Sequence, residues 1–241
     1  MTGEPEIRTV QSPDDMAAIV TVFQQVWGTT TPIVNVELLR AMAHSGGYVA
    51  GVYDNDRLMG ASFGFLARHH GEPALHSHVT GILPGVQHGG AGRAMKIHQR
   101  EWAAARGIPW ITWTFDPLVR RNAWFNLAVL GAEVHEYLVD FYGPIDDAIN
   151  AGDESDRLLV AWPVAGDAAA VADGGGSPGA IPPGAVSVPT PDDIVVLRRT
   201  DRAAATAWRQ RVRAELGGRL AAGGRVVGFT RAGEYLVVEA P

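Results

Sequence analysis

Between Ile82 and Arg93 the chain reads Ile-Leu-Pro-Gly-Val-Gln-His-Gly-Gly-Ala-Gly-Arg, and this stretch constrains the fold more than any other. An apolar, strand-like run from Leu75 to Leu83 is closed by Pro84-Gly85, because proline cannot donate to a sheet ladder. Apolar positions at Ala94, Ile97 and Trp102, set among Arg, Lys and Gln, then predict a helix over Gly92 to Arg106 that ends at Gly107. A strand that passes through a glycine-rich turn directly into a helix points successive backbone N–H groups into one concavity, where the helix dipole adds positive potential. A pyrophosphate is the natural ligand of such a turn, since any Cβ would hold the phosphate away from the amides.

Several ligand readings compete for this turn. A Walker loop needs Gly-x-x-x-x-Gly-Lys followed by Ser or Thr, and no such pair follows here. A dinucleotide turn needs Gly-x-Gly-x-x-Gly; Gly90 and Gly92 fit, but position 95 is Met and no acidic residue is suitably placed further on. An acyl-CoA loop and a tight turn without a ligand are the remaining readings.

The rest of the chain reads as alternating strands and helices. Ile7 to Val10 predicts a strand, and Ser12-Pro13-Asp14-Asp15 marks the start of a helix running to Trp27. Val36 to Ala43 predicts a short helix, and Tyr48 to Tyr53 and Leu58 to Ala67 predict two strands joined at Asp54-Asn55-Asp56. Beyond the glycine-rich turn, Trp110 to Phe115 predicts a strand, Arg121 to Leu130 a helix, Val134 to Tyr142 a strand and Leu158 to Trp162 a short strand. Residues 165–190, rich in Ala, Gly, Pro and Ser, read as a linker too poor in side-chain volume to form its own core. This gives a main domain over 1–164 and a small unit over 191–241, with strand-like Ile194 to Leu197, a helix over Asp201 to Leu216, and strands at Arg225 to Phe229 and Glu234 to Val238. About 50 residues make a marginal core, so the small unit is expected to dock on the main domain.

Composition excludes several classes of function. There is no cysteine among the 241 residues, which removes disulfides, thiolate metal sites and cysteine nucleophiles, and favours an unexported, cytoplasmic protein. A net charge of -6 argues against nucleic acid as the main partner. No apolar run approaches the length of about 20 residues that spans a bilayer. His69, His70, His88, His98 and His135 show no metal-ligand spacing, so no metal is expected.

With Ile82-x-Pro84 before it, Gln87-x-x-Gly90-x-Gly92 resembles the Gln/Arg-x-x-Gly-x-Gly/Ala signature of the GNAT acyltransferases. The order strand, turn, helix, strand, helix, strand around it is similar to that family's. The resemblance implies a mixed α/β fold: a twisted, mostly antiparallel sheet flanked by helices, here with a C-terminal strand–helix–strand–strand extension. It also implies acetyl-CoA or succinyl-CoA as acyl donor. The pyrophosphate would lie against Gln87, His88, Gly89, Gly90, Ala91, Gly92 and Arg93, the main chain of Ile82 and Leu83 would meet the pantetheine arm, and Gly81 would permit the bulge that opens the strand pair. Asn122 matches a position that contacts the cofactor in family members.

Ser77-His78, Trp113 to Leu118, Arg121-Asn122-Ala123, Ser155-Asp156-Arg157 and Ala207-Trp208-Arg209 with Arg213 are similar to a narrower subgroup related to amino acid N-succinyltransferases.

An amine attacking a thioester must lose a proton, and histidine is the side chain best matched to that step near neutral pH. His76 and His78 stand two apart and so share one strand face. His78 is the expected base, with His76 as helper or bystander. The family's usual acid, a tyrosine, is replaced here by Leu127, so Tyr142 or water would protonate the thiolate. Arg157, with Ser155, is the candidate clamp for a carboxylate on the acyl group or on an amino acid acceptor, against a local turn-stabilising role. Asp116 reads as a cap or turn residue, and the seven arginines from Arg198 to Arg219 as a solvated helical face. These residues predict an acyl-CoA-dependent N-acyltransferase for a small-molecule amine or amino acid, with a non-catalytic acyl-CoA sensor and a nucleotide-binding protein as the rivals. The reading leaves room for a homodimer.

Overall fold

A computed structural model describes residues 5–85, 90–143, 145, 153–165 and 183–240. The chain divides into two compact units, one holding residues up to Thr112 with Pro163–Ala165, the other holding Trp113–Trp162 and the segment from Gly166 onward.

The first unit begins with β1 (Glu6–Thr9), α1 (Pro13–Trp27) and α2 (Val36–His44). The Ser12 hydroxyl accepts from the Asp15 amide and Pro13 occupies the first turn, as the sequence predicts for the start of α1. Asn35 caps α2 in the same way. Then come β2 (Tyr48–Asp54), β3 (Arg57–His69), β4 (Glu72–Ile82), α3 (Ala91–Ala104) and β5 (Trp110–Phe115), whose first three residues belong to this unit. The strand order is β1-β2-β3-β4-β5, antiparallel except for β4 and β5, which run parallel over Ala74–His76 against Trp110–Thr112.

Helices cover both faces of these strands, and alternation along β3 decides which side chains meet which helix. Ala61 and Phe63 pack with Met16, Ile19 and Phe23 of α1. Ser62 points the other way and accepts a hydrogen bond from Gln99 Nε2 of α3 (2.7 Å). On that second face Tyr48 is fully buried against Met95 and Trp102, its hydroxyl 2.7 Å from His98 Nδ1.

The second unit contains the end of β5, a turn of helix α4 (Arg120–Ala123) that widens into a π-helical segment over Trp124–Val129, β6 (Glu133–Leu138) and β7 (Arg157–Pro163). The expected helix at 121–130 is therefore present with a different hydrogen-bond pitch. Strands β6 and β7 are antiparallel. The strand expected to reach Tyr142 stops at Leu138. Asp140 takes φ +43, and the side chains of Asp156 and Ser155 bind the amides of Asp140 and Tyr142, which turns the chain out of the sheet.

The C-terminal segment supplies β8 (Val186–Pro189), α5 (Ile194–Thr200), α6 (Arg202–Val212), a π-helical stretch over Arg213–Gly217, α7 (Gly218–Ala221), β9 (Arg225–Phe229) and β10 (Glu234–Val238). Its sheet has the order β8-β10-β9. The strand–helix–strand–strand pattern is present, but its first strand is Val186–Pro189, inside the stretch read as linker. Ile194–Leu197 is helical instead, because the Asp193 carboxylate accepts from the amides of Val195 and Val196 and starts a helix there. Within the second unit this segment is tied to residues 113–162: Tyr235 donates to the Pro117 carbonyl (2.7 Å), and Arg120 donates to Thr190.

Candidate active site

The strand β4 carries the candidate base, and its irregularity sets the geometry. Phe63 stands opposite Val79 and Gly64 opposite Ser77, so His78 is the extra residue of a bulge. Gly64 is what lets the strands approach there, since a Cβ on it would lie 2.7 Å from the His76 carbonyl oxygen. The bulge expected at Gly81 is thus three residues earlier. Gly81 pairs in register with Ala61 and serves packing: a Cβ there would lie 2.7 Å from the Trp27 ring of α1.

His76 and His78 lie close together, as their spacing predicts, with ring centroids 6.1 Å apart. Phe65 stacks near both and Phe63 packs against His78. His76 Nδ1 is 3.0 Å from Thr112 Oγ1. Burial pushes the His76 imidazole down to about 4, with further lowering from His78 and from Lys96. His78 keeps contact with solvent, but the aromatic rings beside it remove part of its hydration, and this burial lowers its pKa too. Both rings are therefore neutral at pH 7, the state in which an imidazole can accept a proton.

Strand β4 leads to α3, whose N-terminus is built for an anion. Gly90 occupies the N-cap with φ +77, and among the described residues no side chain caps the helix and a Cβ at Gly90 or Gly92 would meet nothing within 4 Å. The amides that open a helix have no intrahelical acceptor, so they and the dipole favour a phosphate in that space. Ala91 is buried beneath them. Arg93 sits in the first turn. The residues present thus fit the diphosphate of an acyl-CoA. Gln87, His88 and Gly89 lie outside the described residues. Leu83 donates its N–H to the Met59 carbonyl (2.9 Å), so its own carbonyl is the group it can offer a ligand; Ile82 is half-buried at the strand end.

One residue of this region escaped the sequence reading. Lys96 is 5 % exposed on the inner face of α3 and donates to Ser77 Oγ (2.9 Å) at the bulge. Burial pushes its pKa down to about 7. The signal was in the helix pattern, where Met95, Lys96, Gln99, Trp102 and Ala103 form one buried stripe with two polar members.

The remaining candidates belong to the second unit. Asn122 is exposed on α4. Tyr142 sits in the turn after β6, with its hydroxyl 3.0 Å from Thr114 Oγ1. Ser155 is buried, accepts from the Tyr142 amide and donates to Asp140. Arg157 is buried beside the Tyr142 ring, its charge centre 5.4 Å from the ring centroid, and donates to the Asp156 carbonyl. Asp116 does accept from the Leu118 amide, as a turn residue should.

The arginines correct the expectation of a solvated face. Arg209 is fully buried and grips Asp116 with both terminal nitrogens, while also reaching Asp153; Arg198 bridges the same two carboxylates. Arg213 binds Asp156 and Glu154, and the Tyr137 hydroxyl donates to Asp156. Buried carboxylates require such partners, and only the tertiary fold brings them together.

Residues 2–117 match the family model described as an acetyltransferase (GNAT) domain. Solved structures agree with it over a longer stretch. The fold is GNAT. A phosphinothricin acetyltransferase from Sinorhizobium meliloti, in complex with acetyl-CoA, is 14% identical, with a TM-score of 0.53 over 67% of this chain and 89% of that one. A ribosomal-protein-alanine N-acetyltransferase from Brucella melitensis is 17% identical, with a TM-score of 0.52 over 66% of this chain and 99% of the other. The Arabidopsis thaliana Naa50, in complex with a bisubstrate analogue, is 15% identical, with a TM-score of 0.51 over 66% and 98%. No curated protein matches the sequence. About a third of the present chain has no counterpart in these three structures. The bulged β4 and the glycine-led α3 both lie within the part that the family model covers.

Proposed function

We propose that the chain is an acyl-CoA-dependent N-acyltransferase that passes an acetyl or succinyl group to the amine of a small molecule or an amino acid. The observation that carries this is the strand β4, with a bulge at His78 and two imidazoles held neutral, followed in the chain by a helix that opens on Gly90. The GNAT domain match over residues 2–117 supports the same reading.

In this scheme the amides of α3 bind the diphosphate of the donor, and the donor supplies a thioester carbonyl. His78 takes the proton as the acceptor nitrogen bonds to the carbonyl carbon, and His76 holds the neighbouring position on the strand face. The carbon–sulfur bond then breaks and CoA leaves as a thiolate. Solvent returns a proton to it, since a free thiol has a pKa of about 8.5. For the finer choice of acyl group, Arg157 is the candidate partner of a succinyl carboxylate, because a buried guanidinium binds a carboxylate bidentately.

Thiol release from acetyl-, propionyl- and succinyl-CoA, measured against a panel of amino acids and small amines, tests the proposal. Release that needs an amine supports transfer. Tight acyl-CoA binding without turnover on any acceptor makes the protein a sensor, and protection by ATP or NAD but not by CoA removes the acyl-CoA reading altogether. A succinyl preference unchanged in Arg157→Ala removes the clamp.

A further inference from the structure

Lys96 is a buried basic residue. It lies on the sheet-facing stripe of α3, between Met95 and Gln99, where neighbouring positions are filled by Met95, Trp102 and Ala103. A lysine at such a position costs stability in either protonation state, because its ammonium must be desolvated or its proton given up. Its Nζ donates to Ser77 Oγ on β4, and Ser77 pairs with Gly64 on the near side of the bulge whose extra residue is His78. The charge also reaches His76, where it acts against a second positive charge on the imidazolium.

We propose that Lys96 is a positioning residue for acyl transfer: from α3 it fixes the β4 bulge through Ser77, and with the bulge the two imidazoles beside it. The proposal rests on the acyltransferase reading of the same strand and adds to it the residue that sets the base's surroundings. Because α3 begins at the phosphate-binding amides and Lys96 lies on its second turn, one helix then serves both the anchoring of the donor and the shaping of the catalytic strand.

Among the described residues, Phe65 on β3, His78 on β4 and Thr112 on β5 stand beside His76, and the charge of Lys96 on α3 also bears on it. Of these, His78 and Lys96 carry a titratable charge. His76 titrates near 4, where Lys96, whose own titration lies near 7, is fully protonated. Removing that cation must therefore raise the His76 pKa. Burial by Phe65 and Thr112 stays in place, so only part of the shift is relieved.

The test is a histidine NMR titration of the full chain, as wild type, Lys96→Met, Lys96→Arg and Ser77→Ala, with acyl-transfer kinetics alongside. Lys96→Met should move the His76 titration up by roughly half a unit or more. It should lower kcat by roughly tenfold to a hundredfold while the KM for acyl-CoA changes less than about threefold. Lys96→Arg should keep the His76 titration low. Ser77→Ala should also keep it low, because the cation remains, yet lower kcat through the loosened bulge. A His76 titration that is the same in wild type and Lys96→Met overturns the charge role, and a normal kcat in both Lys96→Met and Ser77→Ala overturns the positioning role. If Lys96→Met does not fold, Lys96→Gln replaces it in both arms: a His76 titration and a kcat both equal to those of the wild type sink the proposal. The NMR arms stand without any turnover, so a failure to find acyl transfer would count against the enzyme reading and not against the assignment of Lys96.

Discussion

Arg209 and Asp116 meet as a bidentate pair, Nη1 to Oδ1 at 2.8 Å and Nη2 to Oδ2 at 2.9 Å, with the arginine wholly out of solvent. One stands at the end of β5 and the other on α6, 93 residues apart, so the pair closes the second unit on itself. Breaking one half leaves an uncompensated buried charge, which typically costs about 3–5 kcal/mol. Arg209→Met and Asp116→Asn should each lower the urea midpoint accordingly. Arg209→Lys should also lose stability, since an ammonium keeps the charge but not the planar fork. A midpoint unchanged in Arg209→Met would mean that the pair does not hold this unit together.

The same carboxylates make stability depend on acid. Burial alone would raise the Asp116 carboxyl, but the charge and hydrogen bonds of Arg209, with the charge of Arg198, hold it well below the usual range. Asp156 is likewise lowered, burial being outweighed by Arg213, the Asp140 amide and Tyr137. Both folded values lie below the unfolded value of about 3.9, so their contribution is complete above that pH and is lost as pH falls from there through the folded values. His76 acts over an earlier window. Its folded value is about 4 and its unfolded value about 6.5, so the unfolded chain gains a proton first and stability declines as pH falls from 6.5 towards 4. Below pH 6.5 urea midpoints should therefore fall in two stages, and His76→Gln should reduce the first, to which His78 also contributes, while leaving the second.

His78→Ala should lower kcat/KM by about 10² to 10⁴, the usual worth of a positioned base, with acyl-CoA affinity little changed. Burial lowers the His78 pKa, so the neutral, active form persists below pH 6.5. The acid limb of the kcat/KM profile should accordingly lie below the value of a free imidazole. A limb at or above 6.5 would assign the proton transfer to another group.

Much of the first unit was legible because its signals are local. Ser12-Pro13 starts α1, the apolar runs give β2 to β5, and the step from Pro84 to Gly92 places the end of a strand beside the start of a helix. The His76–His78 pair followed from the period of two along a strand. What stayed hidden depends on contacts distant in sequence. The bulge at His78 is a mismatch of count between β3 and β4, which neither strand shows alone. Arg198 and Arg209 look like surface residues in a run of seven arginines until Asp116 and Asp153 are brought to them. Tyr142 reads as the end of a strand because the side chains that bend it away, Ser155 and Asp156, come 13 or more residues later.

The contact between Gly81 and Trp27 makes a last, independent check on how β4 is held. A methyl group on Gly81 would lie 2.7 Å from one carbon of the Trp27 ring, 3.0 Å from the next and 3.3 Å from a Val26 methyl, all on the last turn of α1. The strand is fixed on both sides there, since Gly81 is paired with Ala61 and the following Leu83 amide with Met59. The added volume must therefore be taken up by α1. Gly81→Ala should cost about 1–3 kcal/mol, as overpacking of a filled interior does. Trp27→Leu alone should also destabilise by removing buried ring area, yet in the Gly81→Ala background it should restore part of the loss, because the smaller side chain vacates the space the methyl needs. Chemical unfolding of the two single variants and the double variant gives the coupling. Simple additivity of the two losses would show that α1 does not bear on β4 through this pair.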